Sequence, residues 1–213
     1  MNTETLIHEL ALDCRPVSPI GHPLVRFLRW ALAAAVLTAA GVVVIRPFGS
    51  DWNSLLTPVA ITAAVSMFVV FLLSSLAAFF FAVPDSRNAT FGMILIAVVV
   101  VLFCSICFAL SFIEPADSNP GLICVFRIVG LSIAPGVLLF YMLKRAAPMS
   151  SGLVGLLAAL SSFALAEIGV QFLCHKTFAS HIIVWHILPV LVLSLVGILV
   201  GRALFAGSGG ELP

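Results

Sequence analysis

The sequence predicts an all-α polytopic membrane protein, a bundle of six transmembrane helices behind a short cytosolic N-terminal segment. Three observations predict it. The 213 residues are 62% hydrophobic and only 9% charged, with a mean hydropathy of +1.24, whereas about a quarter of an ordinary soluble domain is charged. Apolar runs of the roughly 20 residues needed to cross about 30 Å of hydrocarbon fill most of the chain. The connectors between these runs are short and rich in breakers and charges, such as Arg46-Pro47, Pro84-Asp85-Ser86-Arg87-Asn88, Glu114-Pro115 and Lys144-Arg145, so neighbouring spans should form up-and-down hairpins.

Three regions follow from this pattern: a leader over 1–26, a transmembrane domain over 27–205 and a tail over 206–213. In the leader, Asn2 or Thr3 can cap a short helix with Glu4 in its first turn, and Pro16 with Pro19 ends it. Leu6, Ile7, Leu10 and Cys14 share one face of that helix. Three turns are marginal alone in water, so the segment should order only against a surface. Glu4, Glu9 and Asp13 oppose an anionic lipid surface, which favours a protein partner over both lipid and an uninvolved solvated tail. No apolar core of a signal peptide begins before Phe27, so the first span is expected to stay as an anchor.

The six spans are expected near 27–45, 56–82, 91–113, 122–143, 152–173 and 182–204. With the N-terminus in the cytosol, that side collects seven basic residues in the connectors or at span ends, from Arg15, Arg26 and Arg29 through Arg87, Lys144 and Arg145 to Arg202. Only Arg46 and Lys176 fall on the other side, so both termini are expected to be cytosolic. The balance of ten Lys plus Arg against nine Asp plus Glu leaves no basic face for nucleic acid, and direct nucleic-acid binding is excluded.

Five cysteines spread over the chain make no compact disulfide framework, so side and depth must decide their meaning. Cys124 begins the fourth span and Cys174 ends the fifth, which in an antiparallel pair puts both thiols at one outer level, exposed to the oxidising compartment. They can meet as a disulfide, or as a metal site recruiting His175, His181 or His186, or they are inert fillers. Below them, Arg127 and Gln171 each lie one turn deeper and Glu167 two turns deeper. A charge in lipid costs at least about 2.5 kcal/mol, so an Arg127–Glu167 contact, through Gln171, is expected, with separate snorkelling as the alternative. Trp185 fits an interfacial anchor. Cys104 and Cys107 have a CxxC spacing, yet sit inside the third span, where burial makes thiols unreactive. Gly197 and Gly201, with Gly152 and Gly155, suggest close helix approach, and Pro135-Gly136 and Pro189 suggest kinks.

The leader LIHELALDCRPVSP, Cys124 near the start of span four, the Lys144-Arg145-Ala146-Ala147-Pro148 connector, and Cys174-His175 followed by Val184-Trp185-His186 and Gly197…Gly201-Arg202 together resemble the NrsF-type (negative regulator of sigma F) membrane anti-sigma factors of proteobacteria. The resemblance implies a non-enzymatic regulator of the bacterial inner membrane. Its leader, here Leu6, Ile7, Leu10, Arg15 and Pro16, would hold an extracytoplasmic-function sigma factor inactive. Its outer cysteine pair, Cys124 and Cys174, would sense heavy metal or oxidative stress, with Arg127, Glu167, Gln171, His175, His181 and His186 in support and Cys124, Cys174 and His175 as candidate metal ligands. It implies no resident cofactor beyond a heavy-metal ion as signal, and assigns no role to Cys14, Cys104 or Cys107. Two rivals remain from other classes. A membrane thiol oxidoreductase would reduce a quinone when purified, and a small ion carrier built on Arg127, Glu167, Gln171 and the cysteines would catalyse uptake into proteoliposomes.

Overall fold

The computed structural model describes residues 2–12, 21–45, 57–83, 121–146, 148, 150–176 and 178–205, and between 84 and 120 only residues 94, 97, 98, 100–102 and 105. The described residues form helices and connecting turns, without a strand. The helices are α1 (Thr3–Leu12), α2 (Pro23–Ile45), α3 (Pro58–Phe81), α4 (Leu122–Lys144), α5 (Ser151–Gln171) and α6 (Ala179–Phe205), the last containing a π turn at Ile183–Ile187. Five of them, α2 to α6, are long and apolar enough to cross a membrane. The protein is therefore all-helical and multi-pass. Of the expected third span, 91–113, the described residues are all helical; the rest, including Cys104 and Cys107, lie outside the described residues.

Helix α5 is the axis of the bundle. Within its most apolar stretch 78% of residues are buried, against 17% in α2. Apolarity does not select the central helix in lipid, because a leucine gains nothing by leaving acyl chains for protein; small residues do, because they let backbones approach. The sequence of α5 is studded with Gly, Ala and Ser on every side, and α3, α4 and α6 pack around it. Its contact with α6 runs through glycine. A Cβ placed on Gly197 would fall 2.5 Å from the Cβ of Ala159, and one on Gly155 would fall 2.6 Å from the Cα of Gly201. The expected GxxxG contact is thus the seam that fixes the height of α6 against α5.

Four buried serines close on their own helices. Ser74, Ser75, Ser162 and Ser194 donate to the carbonyls of Val70, Phe71, Ala158 and Val190, four residues back, at 2.5–2.9 Å. This satisfies each hydroxyl where water cannot. At the start of α3, Thr57 Oγ1 accepts from the Ala60 N–H at 3.3 Å and Pro58 occupies the first helical position, both of which suit a helix N-terminus.

Helix α2 lies on the outside, held by two polar side chains. Trp30, fully buried between Phe71 and Phe79, donates from Nε1 to the carbonyl of Pro135 at 3.1 Å. Arg26 donates to the carbonyl of Met142 and lies over the Phe79 ring, 5.4 Å from its centroid. The N-terminal end of α2 therefore meets the C-terminal end of α4. Cys124 stands at the opposite end of α4, 18 residues away, or about 27 Å along the axis at 1.5 Å per residue.

Candidate functional site

Three chain segments converge at the end of the bundle away from the leader: the first turns of α4, the last turns of α5 with the residues after it, and the start of α6. Helix α5 ends in a tightened turn, with the N–H groups of Phe172 and Leu173 bonded to the carbonyls of Gly169 and Val170 at 3.2 and 2.8 Å. That turn delivers Cys174 over the N-terminus of α4. Cys124 Sγ and Cys174 Sγ lie 3.7 Å apart as free thiols. His181 Nε2 sits above both, 3.8 Å from Cys124 Sγ and 3.6 Å from Cys174 Sγ. One ligand atom from each of Cys124, Cys174, His181 and His186 lies within 4.8 Å of the others.

The π turn puts both histidines there. Residues five apart on an α-helix are separated by about 500°, which leaves their side chains about 140° apart. Over Ile183–Ile187 the Leu188 N–H bonds to the Ile183 carbonyl, five residues back, and the wider turn brings His181 and His186 to one side with ring centroids 5.5 Å apart. Pro189 supplies a local reason: it has no N–H for the Trp185 carbonyl, and its ring would press on that carbonyl in a regular helix. Widened turns of this kind recur at functional sites.

Below the thiols, Glu167 is fully buried. Its Oε1 accepts from Gln171 Nε2 at 2.7 Å, one turn along the same helix face, and lies 3.4 Å from His186 Nδ1. The expected Arg127–Glu167 contact does not form. Arg127 donates from Nη1 to the Leu173 carbonyl at 2.9 Å, placing its charge at the C-terminal end of α5, where a cation is favourable. The carboxylate is instead matched by an amide and an imidazole. The expectation for His175 is also corrected: it is exposed and outside the cluster, while His181 and His186 are buried within it. One residue after a chain turn points away from its neighbour, so adjacency to Cys174 in sequence does not give adjacency in space.

The two thiols are inequivalent. Cys124 Sγ donates toward Cys174, which stabilises a thiolate at Cys174 and holds its pKa below that of an ordinary thiol. Sequence reasoning missed Gly121, the residue before α4. A Cβ there would come within 2.6 Å of His181 Cε1 and of Trp185 Cγ, so only glycine lets α6 close over the thiols. Its signal was a glycine one turn before a candidate cysteine. Of the leader residues, Leu6 and Ile7 lie on α1 with exposed side chains, Leu10 lies within the same helix, and Cys14, Arg15 and Pro16 lie outside the described residues.

Compared with known proteins, the chain matches the family described as negative regulator of sigma F over residues 10–206. It belongs to the NrsF family. No curated protein and no solved structure matches it. The family makes this chain an anti-sigma regulator with a sigma factor as partner, and points away from an enzyme. The match includes both cysteines, both buried histidines and the second half of the leader.

Proposed function

We propose that this NrsF member sequesters an extracytoplasmic-function sigma factor at the bacterial inner membrane through the apolar face of its leader, and releases it when the Cys124–Cys174 pair reacts with a heavy metal or an oxidant. Both termini are cytosolic and the cysteine pair faces outward. The observation that carries the reading is the 3.7 Å approach of two free thiols from different segments, at the end of the bundle opposite the leader. The seven-to-two distribution of basic residues supports the orientation.

Helix α4 is the physical link between the two ends. Its first turn carries Cys124, and its last turn accepts the Arg26 hydrogen bond that holds the start of α2. Drawing Cys124 and Cys174 together or apart tilts α4 against α5, and the tilt reaches the Arg26–Met142 contact about 27 Å away, beside the leader. A stimulus moves this equilibrium only by its differential affinity for the two arrangements. The carrier reading loses support because the serines named above close on their own helices rather than lining a path.

Cysteine substitution tests the reading. Cys124→Ser, Cys174→Ser and the double variant are each expected to abolish stress-induced sigma release to the same extent, the non-additivity of groups acting as one unit. Additive partial losses would contradict a paired sensor.

A further inference from the structure

We propose that Cys124, Cys174, His181 and His186 form a four-ligand tetrahedral site for a thiophilic divalent cation such as Zn²⁺ or Cd²⁺, with Glu167 orienting His186 from behind. The assignment rests on reading Cys124 and Cys174 as one unit and goes beyond it, since a pair that only forms a disulfide needs no imidazole.

The distances fit a metal. A tetrahedral centre with metal–sulfur bonds of about 2.3 Å and metal–nitrogen bonds of about 2.0–2.1 Å separates its two sulfurs by about 3.8 Å and each sulfur from a nitrogen by about 3.5 Å. The protein has 3.7 Å between the sulfurs, and 3.6 and 3.8 Å from them to His181 Nε2. Two thiols in simple contact would give the first distance alone. The third ligand stands at matching range, and the fourth lies within 4.8 Å of all the others, near enough to complete the set.

His186 gives an independent observation. It is 1% exposed, and neither of its buried ring nitrogens makes a well-aligned hydrogen bond among the described residues. Its Nδ1 faces Glu167 Oε1 at 3.4 Å. A proton on Nδ1 toward the carboxylate leaves the Nε2 lone pair for a cation, the carboxylate–histidine–metal relation found in metalloproteins. Gln171, bonded to the same Oε1 at 2.7 Å, fixes the carboxylate in turn. Binding takes both sulfurs as thiolates, so any thiol proton they still carry leaves to solvent, and no electrons are transferred. Two thiolates then neutralise a divalent cation, so the buried centre itself carries no net charge.

The test uses purified, reduced, full-length protein in detergent, with Co²⁺ as spectroscopic probe and Zn²⁺ as competitor. The expected result is one Co²⁺ per chain with tetrahedral d–d bands and a thiolate charge-transfer band, displaced by Zn²⁺. His181→Ala and His186→Ala should each abolish the tetrahedral bands, and Glu167→Gln should weaken binding by about 10–100-fold. His175→Ala should bind as the native chain does. His181→Cys guards against misfolding as an explanation: it should retain tetrahedral binding and strengthen the charge-transfer band, which grows with the number of thiolates. Absent Co²⁺ binding, an octahedral spectrum, or histidine variants that bind like the native chain would each overturn the site. If Co²⁺ fails to bind while sigma release still depends on both cysteines, the metal site falls and the thiol sensor stands. If Co²⁺ binds as expected while the double cysteine variant still releases sigma on stress, the site stands and the sensor falls.

Discussion

The leader makes the most quantitative claim on the protein's partner. In α1, Leu6 is 39% and Ile7 61% exposed, so the surface still open on the two side chains amounts to about one whole aliphatic residue, worth about 1.5–3 kcal/mol if a partner covers it. Replacing both with Asp removes that gain, which alone weakens binding by roughly 10- to 150-fold. Desolvating two carboxylates adds to the loss. The assay is titration of the sigma factor against detergent-solubilised protein, native and Leu6→Asp/Ile7→Asp, with sigma-dependent transcription measured in unstressed cells. Affinity should fall at least tenfold and transcription should rise without stress. Equal affinity in the two proteins would place the contact elsewhere and refute the argument that the apolar face of α1 is the docking surface.

Three further perturbations test the scaffold. Gly121→Val would drive a side chain into His181 and Trp185; stress-induced release should be lost while sigma binding stays native, as read by co-purification with and without stress. Gly197→Leu would force apart the seam where even an added Cβ would fall 2.5 Å from Ala159; overpacking of this kind costs about 1–3 kcal/mol or more, read as a lower melting temperature in detergent. Trp30→Phe keeps the ring contacts with Phe71 and Phe79 but removes the hydrogen bond to Pro135, a loss of about 1 kcal/mol that denaturant unfolding should register.

The spans were legible because about 20 apolar residues per crossing is a coarse rule that tolerates a few residues of error at each end. The expected 56–82 and 122–143 appear as Pro58–Phe81 and Leu122–Lys144. The meeting of Cys124 and Cys174 was legible for a similar reason: antiparallel neighbours set depth, and depth can be counted at 1.5 Å per residue. Side-chain direction was not. A 3.6-residue period puts His181 and His186 on different faces, and only the π turn beside Pro189 reverses that. Arg127 was assigned to Glu167 because buried charges need partners, but the rule does not say which. The Leu173 carbonyl at the end of α5 is closer in depth to Arg127 than the carboxylate is, and Glu167 finds its partners in Gln171 and His186. Gly121 shows the same limit: close approach to another helix is visible only once that helix is placed.

The central claim is that an outward-facing Cys124–Cys174 unit governs release of the sigma factor. Its most direct test is labelling of intact cells with a membrane-impermeant maleimide, before and after exposure to Cd²⁺ or a mild oxidant, in a chain whose Cys14, Cys104 and Cys107 are serine, with bound sigma factor measured in the same samples. The label should reach both cysteines in only one of the two states, gaining or losing access to them together, and the change in labelling and sigma release should rise over the same dose range. Labelling unchanged by a dose that releases the sigma factor would contradict it.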